Sequence, residues 1–134
     1  MKPSLQPGNY YELQFIVTPD MCPHFDGTPV HPVCATWTLV NYMEVAGRKI
    51  LEPHLEPHEE GLGIHIRIDH RSPAVIGATV LVRADAERVE SRRLVCAVRA
   101  FAGTRLLAEG SFVQAVLPKE KLARLFEQHR IASE

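Results

Sequence analysis

The sequence carries no excess of either charge. Fifteen Lys and Arg against 16 Asp and Glu leave a net charge of −1 over 134 residues. That balance gives no electrostatic case for a nucleic-acid partner or an anionic membrane surface. Long apolar runs are missing too, so no segment is expected to span a bilayer. The opening MKPSLQPG lacks the apolar core of a secretory signal, and a cytoplasmic location is expected. Cysteine is sparse. Cys22, Cys34 and Cys96 cannot all pair within one chain and show no metal-type spacing, so reduced thiols are expected, with neither a metal nor a cofactor. Linkers, charge blocks and low-complexity tracts are absent as well. A single domain over residues 1–134, large enough for a real core, is the simplest organisation.

What is present centres on VCATWTLVNYMEVAGRKI, from Val33 to Ile50. Leu39, Tyr42, Met43, Ala46 and Ile50 recur at helical spacing, which predicts a helix over about 35–51. Between Asp26 and Arg48 the only formal charge is Glu44. A helix apolar nearly all round is expected to be buried nearly all round, with Glu44 desolvated inside it. Ahead of it, residues 19–32 hold Pro19, Pro23, Pro29, Pro32 and Gly27, which predicts an irregular, lid-like loop.

Strand patterns fill the rest. Tyr11 to Thr18 is aromatic and β-branched. Leu62 to His70 alternates, with Ile64, Ile66, Ile68 and His70 on one face. Thr79 to Val89, Arg92 to Ala102 and Arg105 to Leu117 follow, and Pro118 opens a short terminal helix. These elements predict an α+β fold: a five-stranded sheet, its last four strands in a meander, wrapped around one long central helix. That is the hotdog arrangement, and pairing of two copies would protect its long strand edges.

Thr36, Glu44 and His70 are the candidate chemical groups. His70 ends a strand facing the helix that carries the other two. A hydroxyl, an imidazole and a carboxylate suit acyl transfer: the imidazole takes a proton from Thr36 or a water, and the carboxylate fixes its tautomer. Free amides at the helix start suit a developing oxyanion. Eight helical residues span about 12 Å. So Thr36 and Glu44 cannot both touch one His70 from the same straight helix. Either Thr36 precedes the first turn, or one group acts across a dimer. Bland roles stand beside each: a helix N-cap for Thr36, a strand-end histidine with a backbone partner for His70, a structural ion pair for Glu44.

The motifs Ala35-Thr36, Met43-Glu44, Leu55-Glu56-Pro57, Leu62-Gly63, His70 and Gly77 resemble, in that register, the fluoroacetyl-CoA thioesterase family of hotdog proteins. The resemblance is strongest over Val33 to Gly77. It implies a homodimer that hydrolyses an acyl-CoA thioester with Thr36, Glu44 and His70, and places Gly63 near the reacting carbonyl. The lid departs from the family pattern. It is shorter, Val30 and His31 stand where the family has phenylalanines, Phe25 is its one aromatic residue, and Trp37 and Tyr42 replace smaller or aliphatic residues. This implies an acyl preference other than fluoroacetyl, read by Phe25, Val30 and Trp37. The alternatives are a non-catalytic acyl-CoA binding module, and a dehydratase or isomerase, whose His and acid register is not found here.

Lesser candidates have plainer readings. Cys34 near a helix start is a small buried apolar residue before it is a nucleophile. Arg67, Arg71, Arg92, Arg93 and Lys119 could meet CoA phosphates, yet arginines on strands are usually the solvated face. His54 and His58, among glutamates in a proline-broken turn, lack the rigid spacing of a zinc site.

Overall fold

A computed structural model describes residues 1–130 of the chain; the last four residues of the expected 1–134 domain lie outside the described residues. The chain opens with strand β1 (Tyr10–Ile16). A short hairpin follows, of β2 (His24–Phe25) and β3 (Thr28–Pro29), and then helix α1 (Thr36–Leu51). Four long strands come next, β4 (Glu59–His70), β5 (Thr79–Glu90), β6 (Arg93–Ala102) and β7 (Arg105–Pro118), before a terminal helix α2 (Lys119–Gln128).

The five long strands form one antiparallel sheet in the order β1-β5-β6-β7-β4. The sheet is α+β and hotdog-like, as the patterning predicts, but the expected four-strand meander is only partly formed. β5, β6 and β7 are successive neighbours, whereas β4 lies at the far edge, beyond β7. The reason is the segment between β4 and β5. It crosses the end of the sheet, hydrogen-bonding first to Leu107 O (from the Arg71 and Ser72 amides) and finally to Val17 O (from the Gly77 amide). On its way it forms a bridge between Val75 and Val33 and accepts the Cys34 amide at Ala74 O. This crossing clamps the entrance to α1.

The core lies between α1 and one face of the sheet. Leu39, Met43, Ala46 and Ile50 from the helix meet Val80, Val82 and Ala84 from β5, and Leu94, Cys96, Val98 and Ala100 from β6, all buried. Each large side chain buried there contributes about 1.5–3 kcal/mol. Phe112 on β7 approaches the helix at Gly47, where a β-carbon would sit 2.5 Å from its ring. Only glycine permits that approach.

Two further expectations are corrected. The expected lid loop contains a built hairpin: Asp26 and Gly27 take φ of 52° and 78°, the two left-handed residues of a tight two-residue turn that pairs His24 with Pro29. The prolines flank this turn and do not interrupt it. The other correction concerns α1, which is not buried all round. Trp37, Asn41, Glu44 and Val45 form a side the sheet leaves exposed. The low charge of this side does not come from cover by the sheet.

Candidate active site

The sequence around Thr36 explains where its hydroxyl points. Ala35, in extended conformation, is the N-cap of α1 and supplies no side-chain cap; Thr36 is the first helical residue. The helix entrance is held from both sides, by Ala35 N–H and the Thr38 hydroxyl on Met21 O (2.8 and 3.0 Å) and by Cys34 N–H on Ala74 O (2.8 Å). Thr36 is therefore not consumed in capping. Its Oγ1 lies 2.8 Å from His70 Nδ1.

His70 is presented by β4, and a bulge sets its direction. The β4–β7 register shifts between Gly63 and His65, leaving Ile64 without a partner. Gly63 pairs with Gln114 and Ile66 with Phe112, both of which face α1. Ile66, Ile68 and His70 thus lie on the helix face as expected, while ahead of the bulge that face belongs to Gly61 and Gly63. The other ring nitrogen, Nε2, lies 3.1 Å from Ser72 O. A carbonyl only accepts, so Nε2 carries the hydrogen and Nδ1 of the neutral ring accepts from the Thr36 hydroxyl. The tautomer is fixed by a backbone carbonyl, not by the carboxylate expected for that task.

Glu44 sits two turns further along α1, exposed in the single chain, contrary to the expectation of a desolvated carboxylate. It does not meet the Thr36–His70 pair. Its Oε2 instead lies beside Gly63, 3.2 Å from where a β-carbon there would stand. With Thr36 in the first turn of the helix, the option that it bends back to bring all three together is closed. Glu44 lines a groove of about 640 Å³ between α1 and β4, with Asn41, Arg48, Gly61, Gly63 and Gln114. At its far end Arg48 pairs with Glu60 (2.7 Å) and Glu52 (3.4 Å), which raises the guanidinium pKa and lowers that of Glu60.

The lid hairpin stands over the helix start. Phe25 and His24 each meet the Trp37 ring edge-on, with centroids 5.7 Å apart. Phe25 and Trp37 remain largely exposed. Val30 lines a separate apolar cavity of about 290 Å³ with Pro19, Cys22, Pro29, His31 and Ile76. Tyr42 stacks on Phe15 at 4.0 Å and belongs to the packing.

Gln114 is the residue that sequence reasoning missed. It is 2% exposed, donates from Nε2 to Gly47 O at 3.0 Å, and borders the groove beside Glu44. A lone glutamine among the core-facing positions of FVQAV, on β7, was the available signal. Cys34 is no nucleophile here: burial, with Cys22 adding a smaller push, raises its thiol to about 11. In the His/Glu turn, His54 bonds Ser4, Glu59 takes the N-terminal amine and Glu60 takes Arg48; no metal-type cluster exists among the described residues. Arg67 and Arg71 pair with Asp69. No helix among the described residues is long and apolar enough to cross a membrane.

Residues 17–120 match the fluoroacetyl-CoA-specific thioesterase family. A fluoroacetyl-CoA thioesterase of Streptantibioticus cattleyicolor is 33% identical over 129 residues, covering 90% of this chain and 91% of that protein. Among solved structures, a thioesterase superfamily member from Thermus thermophilus is 38% identical with a TM-score of 0.89, covering 94% of this chain and 93% of that one. A threonine-to-serine variant of a fluoroacetyl-CoA thioesterase, solved with acetyl-CoA, is 30% identical with a TM-score of 0.84, covering 94% and 99%.

Proposed function

Because the chain belongs to the fluoroacetyl-CoA-specific thioesterase family, we propose that it hydrolyses a small or medium acyl-CoA thioester at a site built on Thr36, His70 and Glu44. The observation that carries this reading is the 2.8 Å hydrogen bond from the Thr36 hydroxyl to His70 Nδ1, with Nε2–H held on Ser72 O. His70 takes the hydroxyl proton as Thr36 Oγ1 attacks the thioester carbonyl. The imidazolium that forms keeps its second N–H on the carbonyl of Ser72, which stabilises the positive charge. The oxyanion develops beside the first amides of α1, Thr36 and Trp37, neither of which has a partner among the described residues. The thioester C–S bond then breaks, and the coenzyme A thiolate takes the proton from His70. A water hydrolyses the acyl-threonine, returning the hydroxyl.

Glu44 enters this reading through a homodimer. The β4 edge exposes Ile64 and Ile66, and the neighbouring side of α1 exposes Trp37 and Val45. Two copies pairing antiparallel along β4, about an axis at Arg67, would set Gly63 of one protomer opposite His70 of the other, with Ile64 bulged out of the count. Glu44 of the partner subunit, which accompanies Gly63, then reaches the Thr36–His70 pair and serves as base for the hydrolytic water. The lid aromatics Phe25 and Trp37, and the lid residue Val30 in its separate cavity, favour an acyl group other than fluoroacetyl. The test is thiol release from a panel of short, branched, aromatic and long acyl-CoAs. Turnover on part of the panel, with fluoroacetyl-CoA not preferred, supports the reading. Tight binding of the esters by calorimetry without any thiol release would make the protein a binding module.

A further inference from the structure

We infer that Arg105 is a positioning residue for His70: it holds the Ser72–Pro73 segment so that the Ser72 carbonyl fixes the imidazole with Nδ1 toward Thr36. The inference rests on the catalytic reading of the Thr36–His70 pair. Ser72 O is the sole hydrogen-bond partner of His70 Nε2 among the described residues. That carbonyl lies in the crossing between β4 and β5, away from the ladder of the sheet, so its direction depends on what holds the loop. The near side is held by the Arg71 and Ser72 amides on Leu107 O, at 2.7 and 3.1 Å. The far side is held by Arg105. Its Nη1 donates to Pro73 O at 2.7 Å and to the Ser72 hydroxyl. The Ser72 carbonyl is between these two anchors.

The use of Arg105 is unlike that of its neighbours. Arg67, Arg71, Arg83 and Arg99 each pair with a carboxylate on the same sheet. Arg105 has no carboxylate partner among the described residues and spends its donors on two uncharged oxygens of one loop. Its position, just after the Gly103-Thr104 turn, puts it at the end of the sheet where that loop crosses. It is exposed and outside the core, so its loss spares the packing. Once the far anchor is gone, the Ser72–Pro73 segment can swing as a unit, since the ring of Pro73 fixes its φ, and the Nε2–H loses a fixed acceptor. The ring then turns or changes tautomer, and a protonated Nδ1 can no longer accept from Thr36.

Imidazole nitrogen NMR on the unliganded protein reads this directly, because it needs no turnover. In the wild type, His70 is expected to show an Nε2–H protected from solvent exchange and an unprotonated Nδ1. Arg105→Met is expected to lose that protection and to average the two nitrogens. Ser72→Ala, which keeps the carbonyl but removes one of the two contacts, is expected to shift them less and in the same direction. With an acyl-CoA that turns over, Arg105→Met should lower kcat about tenfold with KM unchanged. Circular dichroism checks that each variant is folded. A folded Arg105→Met with the wild-type ring signals would overturn the assignment. So would unchanged signals in Ser72→Ala, should the first variant not fold. If wild-type thiol release is absent but the ring signals move as described, the catalytic reading fails and the positioning role stands.

Discussion

Gly63→Ala separates the packing role of this glycine from its place beside the chemistry. The added methyl would lie 3.1 and 3.3 Å from the ring of Phe112 and 3.2 Å from Glu44 Oε2. These separations are a few tenths of an ångström too short, so something must give. Phe112 has little room: it is 3% exposed and already presses on the helix at Gly47. The carboxylate of Glu44 is the free end of a flexible, exposed side chain and is the group that moves. The Phe112 contact should cost about 1–3 kcal/mol of overpacking, which for a domain of this size lowers Tm by roughly 3–10 °C. Displacing Glu44 by even part of an ångström from where it serves the reaction should cost up to about 10²-fold in kcat/KM. The assay is thiol release at a temperature well below the lowered midpoint, with thermal denaturation beside it. A variant that loses stability but keeps full kcat/KM would remove Glu44 from the mechanism. A variant with unchanged Tm would refute the close packing of Phe112 against α1.

Three further outcomes follow from the same geometry. Mixing inactive Thr36→Ala and Glu44→Gln proteins after unfolding and refolding together should restore about a quarter of wild-type activity, since half the dimers are hybrids and each hybrid has one intact site; no recovery in verified hybrid dimers would place both groups in one protomer's site. Iodoacetamide at neutral pH should leave the folded protein active, because burial raises Cys34 to about 11 and Cys96 to about 12; rapid inactivation with Cys34 labelled would contradict the buried entrance. Gly27→Ala forces a β-carbon into φ of 78°, at about 1–2 kcal/mol. It should loosen the hairpin and shift the emission of Trp37, the single tryptophan. An unaltered spectrum would separate the lid aromatics from that turn.

Much of this arrangement was legible because patterning and burial agree. The strands expected over Thr79 to Val89 and Arg92 to Ala102 are central in the sheet, and every second residue from Val80 to Ala86 and from Leu94 to Ala100 is buried in the core. The order of strands was not legible, because β4 exchanges its neighbour through a crossing held by Leu107 and Val17, contacts that leave no periodic trace. The bulge at Ile64 was hidden by the even spacing of the isoleucines, which reads as unbroken alternation. Asp26-Gly27 was a readable turn signal, masked by the prolines around it. For the site, the residue types were readable, and so was the bar on Thr36 and Glu44 both touching one His70 within a straight helix; that Thr36 is the one that meets His70 was not. The eight residues of helical rise left two options for Glu44, and the structure, with Thr36 in the first turn, closes one of them. The exposure of Glu44 was not legible, because a helix side with one carboxylate among apolar residues looks the same in sequence whether the sheet, a second copy or water covers it. A backbone partner for His70 was among the roles the sequence allowed, but that it is Ser72 O, in the crossing, was not legible, since a backbone carbonyl leaves no residue-type signal.

The role of His70 as the base is tested most simply by thiol release from wild type and His70→Ala on the best substrate of the acyl-CoA panel, with folding checked by circular dichroism. If His70 is the base, turnover in the folded variant falls by about 10²–10⁴-fold, the usual contribution of a positioned base. Undiminished turnover in folded His70→Ala would contradict that role, because the hydroxyl of Thr36 would then need no acceptor at Nδ1.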